Sequence, residues 1–210
     1  MGISRHPRGV SSFGVPVLAG GDYPISGSVF FVGSTNSGVD SPDYGSKELP
    51  FATIDYAIGK CTANKGDVIY VLPGHVETLA SAGAITADKA DISIIGLGRG
   101  TNRPTLTLSD TASTIAVSAA NVTFENIIIT GSVAELVTVF NVTAAGCTLN
   151  RVDFHGGATS TIKFLTTTAA ADKLTIMNCH HYTTAAVTAN AWLGQWKNAG
   201  WGIIRSSEKL

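Results

Sequence analysis

The sequence predicts an all-β protein: a parallel β-helix, or solenoid, with a short N-terminal capping helix and an extended N-terminal arm. Three observations predict it. A short motif recurs four times, a hydroxyl residue holds a fixed place inside that motif, and one isolated helical pattern precedes the first full copy. The copies are Ile92-Ser93-Ile94-Ile95-Gly96-Leu97, Val122-Thr123-Phe124-Glu125-Asn126-Ile127, Cys147-Thr148-Leu149-Asn150-Arg151-Val152 and Leu174-Thr175-Ile176-Met177-Asn178-Cys179, at intervals of 30, 25 and 27 residues. Two apolar residues spaced by two mark a short strand with one buried face, and the two-residue gap before the next apolar residue marks a corner. Each unit therefore reads as strand, corner, strand. A unit this small cannot bury its apolar face alone and must stack on copies of itself. Stacking in parallel closes a solenoid.

The stack assigns sides to residues. Ile92, Val122, Cys147 and Leu174 form one inward column, and Ile94, Phe124, Leu149 and Ile176 a second, with Cys147 and Cys179 acting as small apolar core residues. Ser93, Thr123, Thr148 and Thr175 fall between them and face outwards as a hydroxyl ladder, which suits a pleated surface by itself. A flat threonine array on a solenoid also raises ice binding. The next outward positions, Ile95, Glu125, Asn150 and Met177, supply no second threonine column and argue against it.

Upstream, Gly27 to Ser34 ("GSVFFVGS") and Gly66 to Gly74 ("GDVIYVLPG") read as strands, the second ending in a Pro-Gly turn. Between them "LPFATIDYAIGKC" places Phe51, Ile54, Ala57 and Ile58 on one helical face, with Pro50 at its start and Gly59 near its end. A helix near residues 50–60 would cover the open end of the stack, where apolar columns and strand edges otherwise meet water. The division that follows is an N-terminal arm over 1–26, the parallel β-helix over 27–191, and a segment over 192–210 that carries Trp192, Trp196 and Trp201 outside the repeat.

Composition narrows the function. Charged residues make up 14% of the chain and the net charge is -1. That leaves no basic face of the kind nucleic acid requires. Neither an apolar run long enough to span a bilayer nor the apolar core of a signal peptide is present, so the chain is expected to be neither membrane-bound nor conventionally secreted. Three scattered cysteines suggest neither a disulfide framework nor a metal site.

The order "FVGSTNSG…SKELPFATIDYAI…GDVIYVLPGH" followed by "ISIIGLGRGTNRPTLTL" resembles the pectate-lyase-like right-handed β-helix superfamily, and most of all its short versions among the structural proteins of tailed bacteriophages. The resemblance runs over about Ser28 to Tyr182. It implies a homotrimer and a place on the virion as tailspike, fibre or head decoration, and the opening "SRHPRGVSSFGVPVLAGG" resembles the N-terminal arms of such proteins.

Candidates for chemistry are few. Glu125 and Arg151 fall in the two variable positions of successive units, neighbours one coil apart, and should meet as a surface ion pair. Asp153 is the one further acid placed to sit near Glu125, which makes a thin pool for the two carboxylates of a glycosidase or the acid cluster of a calcium-dependent lyase. His155, His180 and His181 are expected along a solvated coil edge, His75 in a turn, and "GLGRG" at a tight corner. The expectation is thus a virion structural protein without enzymatic activity, cofactor or metal. It is a trimer on the outer surface of the phage head, made in the host cytoplasm, with itself and the major capsid protein as partners and neither nucleic acid nor membrane. The alternative is a tailspike or tail-fibre component that binds or cleaves host polysaccharide. Anchoring is assigned to the arm: Arg5 and Arg8 give it a charge of +2 with no acid before Asp22, and Phe13, Val15, Val17 and Leu18 offer an apolar extended segment for a partner's sheet edge or groove.

Overall fold

The structure is a computed structural model that describes residues 10–12, 15–17, 27–34, 37–131, 133, 136–156 and 164–183. Strands β1 (Val10–Ser12) and β2 (Val15–Val17) pair antiparallel in a sheet of their own. Strand β3 (Val29–Val32) and helix α1 (Ile54–Lys60) follow. Four three-stranded coils come next. They are β4 (Val68–Val71), β5 (Val76–Leu79) and β6 (Ile85–Ala87); β7 (Ser93–Gly96), β8 (Thr105–Leu108) and β9 (Ile115–Val117); β10 (Thr123–Glu125), β11 (Ile128–Gly131) and β12 (Phe140–Val142); and β13 (Thr148–Asn150), β14 (Asp153–Gly156) and β15 (Leu165–Thr167). Strands β16 (Thr175–Met177) and β17 (His180–Thr183) begin a fifth.

Every coil adds one strand to each of three parallel sheets, in the orders β16-β13-β10-β7-β4-β3, β17-β14-β11-β8-β5 and β15-β12-β9-β6. The predicted class holds, and so does the register. Ser93, Thr123, Thr148 and Thr175 pair in one line, with Ile94, Phe124, Leu149 and Ile176 beside them. Both predicted inward columns are buried, Cys147 included, and so is Cys179. Burial raises the thiol pKa of Cys61 and of Cys147 to about 12, and it raises that of Cys179 as well.

One expectation needs correction. Each unit holds three strands rather than two, because the third sheet is built from three-residue strands such as Ile85–Ala87 in alanine- and threonine-rich sequence, where nothing marks them. Over residues 136–142 the chain feeds the core: Leu136, Val139, Phe140 and Val142 are buried and Val137 faces solvent. Phe140 packs edge-on against Phe124 and Phe164, which in turn meets Phe154, so an aromatic chain links all three sheets through the interior.

The helix caps the stack as expected but starts later than Pro50. Phe51 bonds to Phe31 and bridges to Val32, which holds that stretch extended, and Thr53 is the N-cap, its hydroxyl accepting from the Tyr56 amide at 3.3 Å. Asp40 accepts from the Ala52 and Thr53 amides and from the Thr53 hydroxyl, and Glu77 accepts from the Ile54 amide at 3.1 Å. Carboxylates suit the positive end of a helix. The buried face is Ile54, Ala57 and Ile58.

Candidate functional site

The site lies at the corner between the first and second sheets. The chain turns from β10 to β11, from β13 to β14 and from β16 to β17 in two residues, and the first of each pair is left-handed: Asn126 at φ 59°, Arg151 at φ 55° and Asn178 at φ 54°. Asparagine tolerates that conformation because its short amide bonds locally. Asn126 does so, donating to the carbonyls of Gly96 at 2.7 Å and Gly98 at 3.2 Å. Gly96 has to be glycine, since a Cβ there would run into the Asn126 carbonyl oxygen.

Two coils break the two-residue rule: β4 and β5 are joined by Leu72 to His75, and the next coil departs further. Between β7 and β8 the chain loops through Leu97 to Pro104 with a single 3₁₀ turn at Gly100–Asn102, and this longer loop overhangs the corner with Arg99 and Arg103. Arg103 reaches Asp153, the first residue of β14, and forms a close ion pair from Nη2 to Oδ2. Both side chains are nearly buried, at 14% and 10% exposure. Arg103 also donates from Nε to the Gly100 carbonyl at 3.2 Å and from Nη1 to the Arg151 carbonyl at 3.4 Å. The other oxygen of Asp153 meets His180 Nδ1 at 3.1 Å, from the next strand of the same sheet. These groups, with Arg99, Arg151, Asn126 and Asn178, surround an open cleft of about 320 Å³. A buried carboxylate thus fixes one guanidinium and orients one imidazole, while two further guanidinium groups stand at the rim.

The expected Glu125 and Arg151 contact is present at 3.8 Å. Asp153 finds its partners in Arg103 and His180 rather than in Glu125, because it opens the second sheet while Glu125 ends a strand of the first. His155 lies on β14 and His180 and His181 on β17, and His180 is engaged with Asp153 rather than left to solvent alone. His75 is no simple turn residue. It is fully buried, its Nδ1 accepting from the Ser34 amide at 3.0 Å and its Nε2 lying 3.1 Å from Glu77 Oε2. It thereby ties the loop after β3 to the carboxylate that supports the helix start. Of the proposed anchoring residues, Val15 and Val17 lie in β2, while Arg5, Arg8, Phe13 and Leu18 lie outside the described residues. Among the described residues no group of three or more His, Cys, Asp or Glu is placed to hold a metal ion.

Sequence reasoning passed over Arg103 and the pairing of Asp153 with His180. The second was available in principle, since these residues are 27 apart, the same interval that separates Cys147 from Leu174. The first was not, because Arg103 sits in a loop outside the repeat.

No protein-family model matches the chain, and neither does any curated protein. It is similar to a solved structure, a rhamnogalacturonan lyase, at 14% identity and a TM-score of 0.43, over 88% of this chain. The match spans 64% of the length of that structure. The neighbour is an enzyme, and on that finding the expectation that this chain has no enzymatic activity is withdrawn.

Proposed function

We propose that the chain is a surface protein of a tailed-bacteriophage particle, a homotrimeric β-helix that decorates the head and is held there by its N-terminal arm. The observation that carries this reading is the separation of arm and rod. Strands β1 and β2 form a sheet of their own, while the first solenoid sheet begins at β3 and the other two at β5 and β6. An arm that does not belong to the rod is free to bind a partner by sheet addition or groove filling. Exposed Val76 and Val137, at 54% and 51%, support lateral contact between copies. The major capsid protein is the partner this reading names. The test is to delete Met1 to Gly21 and measure occupancy on purified heads by particle imaging, together with mass in dilute solution. Loss of occupancy by a still-trimeric rod is expected. Undiminished occupancy, or a stable monomer, would refute the corresponding part.

A second reading, a tailspike-like protein that binds or cleaves host polysaccharide, is favoured by the corner cleft, where Asp153, His180 and three arginines converge on a chain otherwise poor in charge. Product release from host surface polysaccharide that disappears in a folded Asp153→Asn variant is the outcome that would establish it over the first.

A further inference from the structure

We infer that the corner cleft binds a single oxyanion group, a sugar carboxylate or a phosphate, gripped by Arg151 and Arg99 above a floor fixed by Arg103 and Asp153. This holds wherever the protein sits on a particle and whether or not a bond is broken there. Three observations converge on it.

The first is backbone conformation. In the corner column Asn126, Arg151 and Asn178, the left-handed position is taken twice by asparagine, the residue suited to it, and once by arginine, which is not. Asn178 bonds to the neighbouring Asn150 side chain at 3.1 Å and Asn126 to two carbonyls. The guanidinium of Arg151 has only a loose contact to Glu125, at 3.8 Å, and its side chain is 55% exposed along the cleft. An unfavourable residue kept in a strained position points to a use for its side chain.

The second is the distribution of charge. The chain holds six arginines, and three of them, Arg99, Arg103 and Arg151, line this one cleft of about 320 Å³. Among the described residues Arg99 has no carboxylate partner. Guanidinium groups pair with carboxylate and phosphate through two parallel N–H donors, which makes a planar or tetrahedral oxyanion the matching ligand.

The third is preorganisation. Arg103 bonds to Asp153, the Gly100 carbonyl and the Arg151 carbonyl, so it ties the overhanging loop to the backbone of Arg151. The backbone that carries Arg99 and Arg151 is thus already placed when the ligand arrives, and only the two side chains remain to be ordered.

The test uses the full chain and three probes: digalacturonate, inorganic phosphate and a neutral digalactose, titrated by calorimetry and by NMR of the arginine side chains. The two anions are expected to bind with a Kd on the order of 1 mM at low salt, more weakly as salt is raised, with the neutral sugar giving no shift. Tenfold tighter binding of digalacturonate identifies a sugar carboxylate as the ligand, and the reverse identifies phosphate. Arg151→Asn should weaken anion binding at least tenfold while leaving the melting temperature unchanged or raised, and Arg99→Gln should weaken binding without affecting the fold. The proposal is overturned if neither anion binds, if the neutral sugar binds equally well, if both variants bind as the parent does, or if Arg151→Asn lowers the melting temperature.

Discussion

Replacing Asp153 by alanine removes the carboxylate that faces Arg103 and His180 and leaves a guanidinium only 14% exposed without its counter-ion. Breaking a fully buried pair from one side costs about 3 to 5 kcal/mol. The figure here is lower because Arg103 keeps two backbone carbonyl partners and retains some access to water. The lost charge-assisted bond is worth about 1.5 to 3 kcal/mol, and the bond to half-exposed His180 adds less than about 1 kcal/mol. We expect about 3 kcal/mol for Asp153→Ala and about 1 kcal/mol for Asp153→Asn, which keeps an acceptor for Arg103. At 2 to 4 °C per kcal/mol for a chain of this size, the alanine variant should melt about 6 to 12 °C lower. Glu125→Ala is the control, because its pair with Arg151 spans 3.8 Å at an exposed side chain and should cost less than about 0.5 kcal/mol. Urea unfolding followed by far-UV circular dichroism, at low salt and in 1 M NaCl, measures both. Salt should leave the Asp153 effect nearly unchanged, since a desolvated pair is weakly screened. An Asp153→Ala variant no less stable than Glu125→Ala would refute the assignment of this pair as the corner's anchor.

Other substitutions probe the stack. Phe140→Ala removes a fully buried ring with two edge-on partners and should cost about 4 kcal/mol, against about 1 to 2 kcal/mol for Phe140→Leu, as read by urea midpoints. His75→Ala should cost about 2 to 4 kcal/mol through a cavity and the loss of its bonds to Ser34 and Glu77, with amide exchange rising first around α1 because Glu77 also holds the Ile54 amide. The folded-state pKa of Cys61 and Cys147 is raised from 9.0 to about 12 by burial, so the stability linked to the neutral thiols is complete below pH 9 and falls as pH climbs towards 12. In the folded protein both thiols should react with a maleimide no faster than global unfolding allows; prompt labelling near neutral pH would contradict their burial.

The sequence by itself determined the parallel stack, both inward columns, the hydroxyl ladder and the capping helix. Each of these follows from spacing: apolar residues two apart with a hydroxyl between them, repeated at an interval close to one coil, leave one way to bury Ile92, Val122, Cys147 and Leu174 together. The contact between Glu125 and Arg151 was legible for the same reason, since the variable pairs of successive units, Glu125-Asn126 and Asn150-Arg151, stack beside one another. The third sheet was not legible. Strands such as Ile115–Val117 are too short to carry a period, and they become strands only because the two sheets before them bring the chain back beside the previous coil. The cleft was decided by tertiary structure alone, because its key residue comes from a place where the repeat is interrupted. Arg103 is 50 residues from Asp153, more than one repeat interval away, and the two meet only because the loop from Leu97 to Pro104 arches over the corner and lays a cation on the first residue of β14. His75 belongs with it: a Pro-Gly-His string reads as a turn, and only the folded end of the stack, with Ser34 on one side and Glu77 on the other, turns that imidazole into the buried link between strand and helix.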